Sequence, residues 1–301
     1  MSNLKMLTVG LIFSLSSPIM ASPCDEATEL NYQAYESTRQ GFPTSRAKHL
    51  LERALALCPN HAESYNNLAE LFSTESDYAQ AITHYRRALQ INSNLSTAWY
   101  GLGETYYKQD QFPQSLEAHL HACQTDKDSR QRVVELLKDN RYAVTEEGKI
   151  LEKDSLLLLY DPSRRHAMEQ LITACGLKAK IRHVIVFRNL VFNTSTTTLK
   201  QASTRQLQKI ASVLKMVDPT MVKVKGHSDA QPWRGRSQSE SKRLNLKLSQ
   251  QRAESVKNVL VNEGFPKNLT QAKGYGSNDP LVLGNSPAIW AKNRRVEIEV
   301  K

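Results

Sequence analysis

A repeat of 34 residues constrains the first half of this 301-residue chain more than any other feature. Shifting the sequence by 34 positions pairs small and apolar residues in the sets Ala47, Ala81 and Ser115; Ala54, Ala88 and Ala122; Tyr65 and Trp99; and Leu68 and Leu102. Small residues let helices cross closely, and Ala81, Ala88 and Leu89 fall on one helical face. The period predicts three units of paired helices, at 28–61, 62–95 and 96–129.

This pattern resembles the tetratricopeptide repeat, whose helix pairs stack into a solenoid. Each unit buries its apolar face only against its neighbours, so about three units are needed for stability. The resemblance implies an all-α array with a concave groove for a peptide or a protein partner, whose identity the sequence does not give. A plain spacer is the alternative. We expect Tyr65, Trp99 and Tyr100 in the core rather than against a ligand.

Residues 1–21 are typical of a secretory signal peptide. A single lysine precedes an apolar run over 6–20, and the small residue Ala21 offers a cleavage site. The run is too short for a membrane span. Lipid modification of Cys24 is the alternative, although Pro23 stands where a small residue is expected. We therefore predict a mature chain without a transmembrane segment, in the periplasm of a Gram-negative bacterium, free or associated with the cell wall or the outer membrane.

The cysteine count of an exported chain points to disulfides. Four cysteines allow three pairings. In an antiparallel helix pair, the start of the first helix lies near the end of the second, which brings Cys24 close to Cys58. We therefore predict the pairs Cys24–Cys58 and Cys123–Cys175.

Charge divides the chain into two parts. Residues 22–129 hold 8 Lys and Arg against 14 Asp and Glu, a net charge of −6, whereas residues 181–301 hold 21 against 8, a net charge of +13. A basic exported region favours an anionic polymer or a membrane surface as its partner. Export argues against nucleic acid.

Residues 130–180 are interpreted as a connecting module without assigned chemistry. The run VVELLKDN is predicted to continue a helix, and 141–154 to form a β-hairpin around Glu147 and Gly148. The run SRRHAMEQLITACG is predicted to form a helix that ends at Gly176.

From His183 onward the pattern changes to short alternating runs separated by helical ones. Four runs are strand-like: HVIVFRNLVF, MVKVKG, LTQAKGYG and RRVEIEV. Two helical runs, STRQLQKIASVLKMV and LNLKLSQQRAESVKNVLVNEG, follow the first and the second of them. The resulting order β-α-β-α-β-β predicts an α+β domain in which helices pack on one sheet.

The stretch VKVKGHSDAQP raises the question of a catalytic turn, because it places Gly226, His227, Ser228 and Asp229 at a strand end. A nucleophile elbow requires the pattern G-x-S-x-G, and Ala230 occupies the second glycine position. Consecutive side chains at a strand end point to opposite sides and do not converge as a triad. The pattern argues against a cell-wall hydrolase, and we expect no enzymatic activity. No cluster has metal-ligand spacing, and no metal or cofactor is expected.

The helix after this turn places Asn245, Leu248, Ser249 and Arg252 on one face, at the spacing i, i+3, i+4 and i+7. This face, the strand end Gly-His-Ser-Asp, the run GYG at 274–276 and the run NRRVEI at 293–298 together resemble the OmpA-like peptidoglycan-binding domain, over about 183–301. The predicted chain is therefore multidomain, with an N-terminal all-α tetratricopeptide-repeat solenoid at 22–129 and a C-terminal α+β OmpA-like domain at 181–301.

The resemblance implies that Asp229 and Arg252 hold diaminopimelate of the peptidoglycan stem peptide. A carboxylate and a guanidinium facing each other suit an amino-acid centre that carries both an ammonium and a carboxylate. Gly226 is expected to allow close backbone approach and Asn245 to fix the loop that presents Asp229, with Ser249 completing the set. The alternative is an internal salt bridge between Asp229 and Arg252.

Five further residues are possible contacts: His227, Ser228, Trp233, Arg294 and Arg295. Ser228 replaces the threonine that is usual in the family and keeps its hydroxyl. One of the two arginines is expected to pack across the sheet and the other to be solvated.

The loop over 230–244 is longer than in the common form of the family, as in flagellar stator relatives. Its Trp233, Arg234 and Arg236 either contact glycan or stem peptide, or belong to a solvated mobile loop.

The sequence thus predicts an exported, non-enzymatic anchor or scaffold of the cell envelope. It binds peptidoglycan through its C-terminal domain and a protein partner through its repeats. A stator-like component of a membrane motor or transport complex is the alternative, and this would require an uncleaved N-terminal helix.

Overall fold

The computed structural model describes residues 22–145, 150–182, 184–188, 199 and 201–301. The expectations of a signal peptide over 1–21, of a turn at 147–148 and of His183 at the start of the first strand lie outside the described residues.

The repeat region consists of three antiparallel helix pairs, as the 34-residue period predicts. Their bounds are α1 Pro23–Arg39, α2 Thr44–Leu57, α3 Ala62–Thr74, α4 Tyr78–Ile91, α5 Ser96–Lys108 and α6 Phe112–Ala122. Ala47, Ala81 and Ala88 are buried where these helices cross, and Tyr65 and Trp99 pack against the same core. The fold class expected for this half is confirmed.

The helix pairs stack so that first helices meet first helices. Helix α3 packs against both α1 and α5, whereas α2, α4 and α6 each pack on the first helix of their own pair. Side-chain amides join neighbouring first helices, because Asn67 Nδ2 donates to Asn31 Oδ1 over 2.9 Å. One side of the array is therefore formed by α1, α3 and α5, and the opposite side by α2, α4 and α6.

Two disulfides close the array at its ends. Cys24 is bonded to Cys58, with Cα atoms 5.0 Å apart, and Cys123 to Cys175, with Cα atoms 5.8 Å apart. The first joins the start of α1 to the end of α2. The second joins the end of α6 to residues beyond the repeats.

The segment after the repeats is mostly helical. It contains α7 Lys127–Leu137, a 3₁₀ turn Lys138–Ala143, β1 Val144–Thr145, α8 Lys153–Tyr160 and α9 Pro162–Ala174. The expected β-hairpin over 141–154 is wrong at its described ends. Residues from Lys153 on are helical because the leucine run of α8 is buried as a helix, and β1 pairs elsewhere, in parallel with the next strand along the chain.

The C-terminal region forms one five-stranded sheet with helices on one face. Its further elements are β2 Val184–Arg188, α10 Gln201–Val217, β3 Val222–His227, α11 Gln238–Asn262, β4 Thr270–Gly276, α12 Pro287–Asn293 and β5 Arg295–Val300. The strand order is β1-β2-β5-β3-β4, with β5 antiparallel to both neighbours and β3 parallel to β4. The βαβαββ order is confirmed. Helix α12 was not predicted from the sequence, and β1, which was expected in a hairpin, joins this sheet instead.

A continuous core joins the connecting segment to this sheet. Tyr142 and Tyr160 are buried together with Ile185 and Ile298, and the Tyr160 hydroxyl donates to the Ile298 carbonyl over 3.2 Å. Residues 181–301 therefore share their core with the helices that precede them.

Helix α11 lies on β3 and β4 at backbone distance. Gly226 and Gly274 are register partners on the two strands. A Cβ at Gly226 would lie 2.1 Å from the Ser249 carbonyl oxygen, and one at Gly274 would lie 2.4 Å from the Gln250 nitrogen. The Gln250 side chain strengthens this contact, because its Oε1 accepts a hydrogen bond from Gly274 N over 2.6 Å. It thereby covers part of the backbone of the edge strand β4.

We expect Gly226→Ala to lower the free energy of unfolding by about 2–3 kcal/mol, because the added methyl group forces α11 away from the sheet. Gly235→Ala is the matched control. Gly235 has φ +71° and open space around its Cβ position, so it tests backbone strain alone, at about 1 kcal/mol. Urea unfolding of the full chain measures both. Equal losses in the two variants would contradict this close contact.

Candidate ligand-binding site

The site is built on the loop that leaves β3. Ser228 N donates to the Gly276 carbonyl over 2.9 Å and continues the pairing with β4 by one residue. Gln231 N then donates to Asp229 Oδ1 over 3.0 Å, which forms a local turn around the carboxylate. Asn245 Nδ2 donates to the Asp229 carbonyl over 3.2 Å. Helix α11 therefore holds the loop that presents Asp229.

Trp233 connects the outer part of this loop to the same helix. Its indole N–H donates to Asn245 Oδ1 over 2.7 Å, and its backbone N–H donates to Ser241 Oγ over 3.0 Å. The ring remains 42% exposed. Trp233 is thus fixed through its polar edge while its face is open to solvent, where Arg234 and Arg236 are exposed as well.

The expected loop over 230–244 is shorter than the sequence suggested. Helix α11 begins at Gln238, because the Ser237 side chain caps it and the Glu240 carboxylate accepts a hydrogen bond from the Ser237 backbone N–H. The second half of the predicted loop is therefore the first turns of the helix.

The carboxylate of Asp229 is paired with Arg294. Arg294 Nη1 donates to Asp229 Oδ2 over 2.7 Å, and the side chains are 40% and 12% exposed respectively. Arg294 lies between α12 and β5, and the antiparallel pairing of β5 with β3 places it beside the loop that follows β3. The internal ion pair that the structure shows is thus made by Arg294, one of the possible contacts, rather than between Asp229 and Arg252.

Arg252 contributes a second guanidinium close to this pair. It projects from α11 one turn after Ser249 and is partly buried. Burial and the positive charge of Arg294 lower the pKa of Arg252, and the negative charge of Asp229 opposes this effect. Two guanidiniums therefore act on one carboxylate, which leaves an excess of positive charge at the edge of an exposed loop.

Gly226 and Ser249 do not line this site. Gly226 faces α11 at the close contact described above, and Ser249 is fully buried. The Ser249 hydroxyl accepts from Gly276 N over 2.9 Å and donates to the Leu246 carbonyl over 2.8 Å. Both residues support the helix that carries Asn245 and Arg252, and their expected contact with a ligand stays a prediction.

His227, Ser228 and Arg295 are buried as well. The His227 ring is fully buried and stacks on Tyr275 with centroids 5.2 Å apart. Arg295 Nε donates to Glu297 Oε1 over 2.7 Å on the sheet face opposite the helices. The buried Ser228 hydroxyl donates to the Asp229 carbonyl over 3.1 Å. Arg295 is therefore the arginine that packs across the sheet, as one of the two was expected to do.

The environment of His227 disfavours its charged form. Burial and the neighbouring Arg295 guanidinium lower its pKa to about 4, against the attraction of Glu297 and Asp279. Nε2 lies 3.8 Å from Glu297 Oε1, and Nδ1 lies 3.9 Å from Asp279 Oδ2. The ring is neutral near pH 7 and packs under the loop that follows β3.

The repeats offer a second candidate surface on the side formed by α1, α3 and α5. A cavity of about 270 Å³ opens there between α1, α2 and α3. Its walls combine apolar residues such as Tyr35 and Leu51 with the charged side chains of Arg39 and Glu70. Tyr35 is 57% exposed, which leaves an aromatic surface for a partner.

The sequence pattern missed two contributions to the first site. Arg294 was assigned only as a possible contact, because its contact with Asp229 spans 65 positions and depends on α12, a helix of 7 residues with little periodic signal. Gln250 was missed because its role depends on an unpaired strand edge, which becomes visible only in the folded sheet.

We expect the stability of the protein to fall by about 3 kcal/mol between pH 7 and pH 4 through His227 alone. The folded-state pKa lies below the ordinary value of 6.5, at about 4. The stabilising effect is therefore complete above pH 6.5 and is lost as the pH falls towards 4. Chemical unfolding of wild type and His227→Gln at several pH values measures it. Parallel pH dependences of the two proteins would contradict the buried neutral ring.

Comparison with known families supports this architecture. Residues 191–294 match the model of the OmpA family. Residues 50–83 and 75–110 match models of the tetratricopeptide repeat.

Individual relatives match part of this chain. The chain is 36% identical over 110 residues to a protein named probable lipoprotein YiaD from Escherichia coli strain K12, a match that covers 36% of this chain and 47% of the relative. It is 30% identical over 135 residues to outer membrane protein A from Shimwellia blattae, covering 41% of this chain and 53% of the relative. The chain thus spans about half the length of these curated relatives.

A solved structure with a related sequence is the peptidoglycan-associated lipoprotein from Burkholderia pseudomallei. It is 28% identical, with a TM-score of 0.32, and the match covers 37% of this chain and 88% of that one. Every helix in the described residues is too short or too polar to cross a lipid bilayer. The expected combination is confirmed: residues 191–294 match the OmpA family, and matches to the tetratricopeptide repeat precede them.

Proposed function

We propose that this protein is a non-enzymatic anchor that binds peptidoglycan through its C-terminal region and recruits a protein partner through its repeats. The observation that carries the proposal is the ion pair between Arg294 and the carboxylate of Asp229 beside an exposed loop, with the Arg252 guanidinium near enough to both for their charges to act on it. The OmpA-family match over 191–294 supports the same reading.

The chemistry of this site fits the free amino-acid centre of diaminopimelate. Its carboxylate suits the two guanidiniums, which bind carboxylates in a bidentate manner, and its ammonium suits Asp229. Arg294 occupies Asp229 in the free protein, so the ligand ammonium takes the place of Arg294 at Asp229 while Arg294 turns to the ligand carboxylate. Asn245 and Trp233 keep the loop in place during this exchange.

Charge extends the proposed binding surface beyond the pocket. Residues 181–301 carry a net charge of +13, which attracts an anionic polymer but is screened by salt. A short-range pocket is less sensitive to salt than this field. Binding measured at high salt therefore reports mainly the contribution of the pocket, because the attraction from the net charge is screened.

The repeats are proposed to recruit a protein on the side where the cavity between α1 and α3 opens. The names of the relatives, a probable lipoprotein and outer membrane proteins, support a place in the envelope of a Gram-negative bacterium, in the periplasm and associated with the cell wall or the outer membrane.

We expect Asp229→Asn and Arg252→Gln each to weaken binding of the full chain to diaminopimelate-containing sacculi by about tenfold or more at high salt. Each change keeps the size of the side chain but removes one charge-assisted contact, worth about 1.5–3 kcal/mol. Co-sedimentation measures the effect. The full chain is used because residues 181–301 share their core with preceding helices.

Arg243→Gln is the matched control for Arg252→Gln. It removes the same charge from an exposed position on the same helix, nine residues earlier and therefore on the opposite face. Its binding at high salt should equal that of the wild type. The pocket assignment would be wrong if Asp229→Asn and Arg252→Gln bound as well as Arg243→Gln.

We also expect sacculi whose stem peptides carry lysine instead of diaminopimelate to bind at least about tenfold more weakly at high salt. Lysine offers an ammonium without the neighbouring carboxylate, so Arg252 and Arg294 lose their partner. Co-sedimentation with the two kinds of sacculi, matched for mass, measures the preference. Equal binding would show that the amino-acid centre is not what the site recognises.

A further inference from the structure

A second cavity lies on the other side of the repeat array, between α4 and α6. Helix α5 packs against both and forms the floor. The cavity has a volume of about 310 Å³. Asp154 of α8 closes one end, so the repeats and the following segment build the cavity together.

The cavity has apolar walls and a charged end. Leu89, Leu102, Trp99 and Tyr106 line the apolar part, and Glu117 and Asp154 line the other. Trp99 is held in place by stacking on His121, with centroids 4.1 Å apart, and by its indole N–H, which donates to the Ser93 carbonyl over 2.8 Å. The cavity is therefore a preformed amphipathic slot.

The two carboxylates share one arginine behind the cavity wall. Arg164 contacts Asp154 over 2.9 Å and Glu117 over 3.3 Å. Burial raises the pKa of Glu117 although Arg164 opposes this, so the compensation of its charge is incomplete. A further cation at this end of the cavity would stabilise both carboxylates.

The side chain of Arg86 lines the cavity and already places a positive charge near Asp154. It donates to the Tyr106 hydroxyl over 2.8 Å and lies 3.9 Å from Asp154, with its side chain 56% exposed. Such an exposed pair is weak and is readily displaced. Arg86 therefore competes with an incoming cation without blocking the cavity.

We propose that this cavity binds an arginine or lysine side chain of a partner protein, with the aliphatic stem against Leu102 and Tyr106 and the cationic head between Glu117 and Asp154. The inference goes beyond the proposed function, because this cavity lies on the opposite side of the array from the cavity at α1 and α3. An anionic group would face two carboxylates, and the net charge of −6 over residues 22–129 also favours a basic partner segment.

The test uses two acetylated, amidated tripeptides, Ala-Arg-Ala and Ala-citrulline-Ala, which differ in charge but hardly in shape. The full chain, labelled with ¹⁵N, is titrated with each, and the indole N–H signal of Trp99 is followed after assignment with Trp99→Phe. We expect a saturable shift with the arginine peptide and a much smaller shift with citrulline.

Variants then give effects in opposite directions. Glu117→Gln should weaken binding of the arginine peptide by about fivefold or more, because a charge-assisted contact is lost. Arg86→Gln should strengthen it, because the competing cation is removed. Asp154→Asn repeats the first test at an exposed residue that does not endanger folding, and Glu52→Gln, an exposed acid on α2, is the matched control without effect.

Equal shifts with citrulline, or unchanged affinity in both Glu117→Gln and Asp154→Asn, would overturn the proposal. Binding to sacculi is measured in parallel with the same variants. It should be unaffected, so that failure of this inference is distinguishable from failure of the proposed peptidoglycan site.

Discussion

The contact between α11 and the strands β3 and β4 is the constraint on which the candidate site depends. Gly226 and Gly274, side by side on the two strands, let the helix backbone rest directly on the sheet. Ser249 then fixes the end of β4 through Gly276 N. This contact sets the height and rotation of α11, and hence the positions of every α11 side chain that holds or faces the loop after β3.

Much of the architecture could be predicted because it depends on periodic patterns. The 34-residue repeat and the alternating runs of the last third are local signals, and they give the helix pairs and the order β-α-β-α-β-β. The failures have a common cause. Strand β1 has only 2 residues, and its identity depends on pairing with β2. Helix α8 consists of a leucine run that packs mainly on the helices α10, α6 and α9, and α10 is distant in the sequence.

The site could be predicted only in part, for a related reason. Asp229 and Asn245 follow from their order along the chain, since a loop and the helix after it must meet. Arg294 reaches Asp229 only because antiparallel pairing returns the chain to this edge of the fold. Gly226, Ser249 and His227 belong to the same motif as the residues proposed to bind the ligand, but in the fold they support the helix and the loop. The sequence motif therefore marks the site, but it does not distinguish residues that contact a ligand from residues that support the fold around them.

The most direct test of the account is the exchange of partners at Asp229. We would record the arginine Nε–H signals of the full chain by NMR while adding a soluble stem peptide that ends in diaminopimelate. The account predicts saturable shifts of Arg252 and Arg294, with Arg295 unchanged because it is buried against Glu297. The account would be contradicted if the Nε–H signals of Arg252 and Arg294 stayed unchanged while those of other arginines shifted.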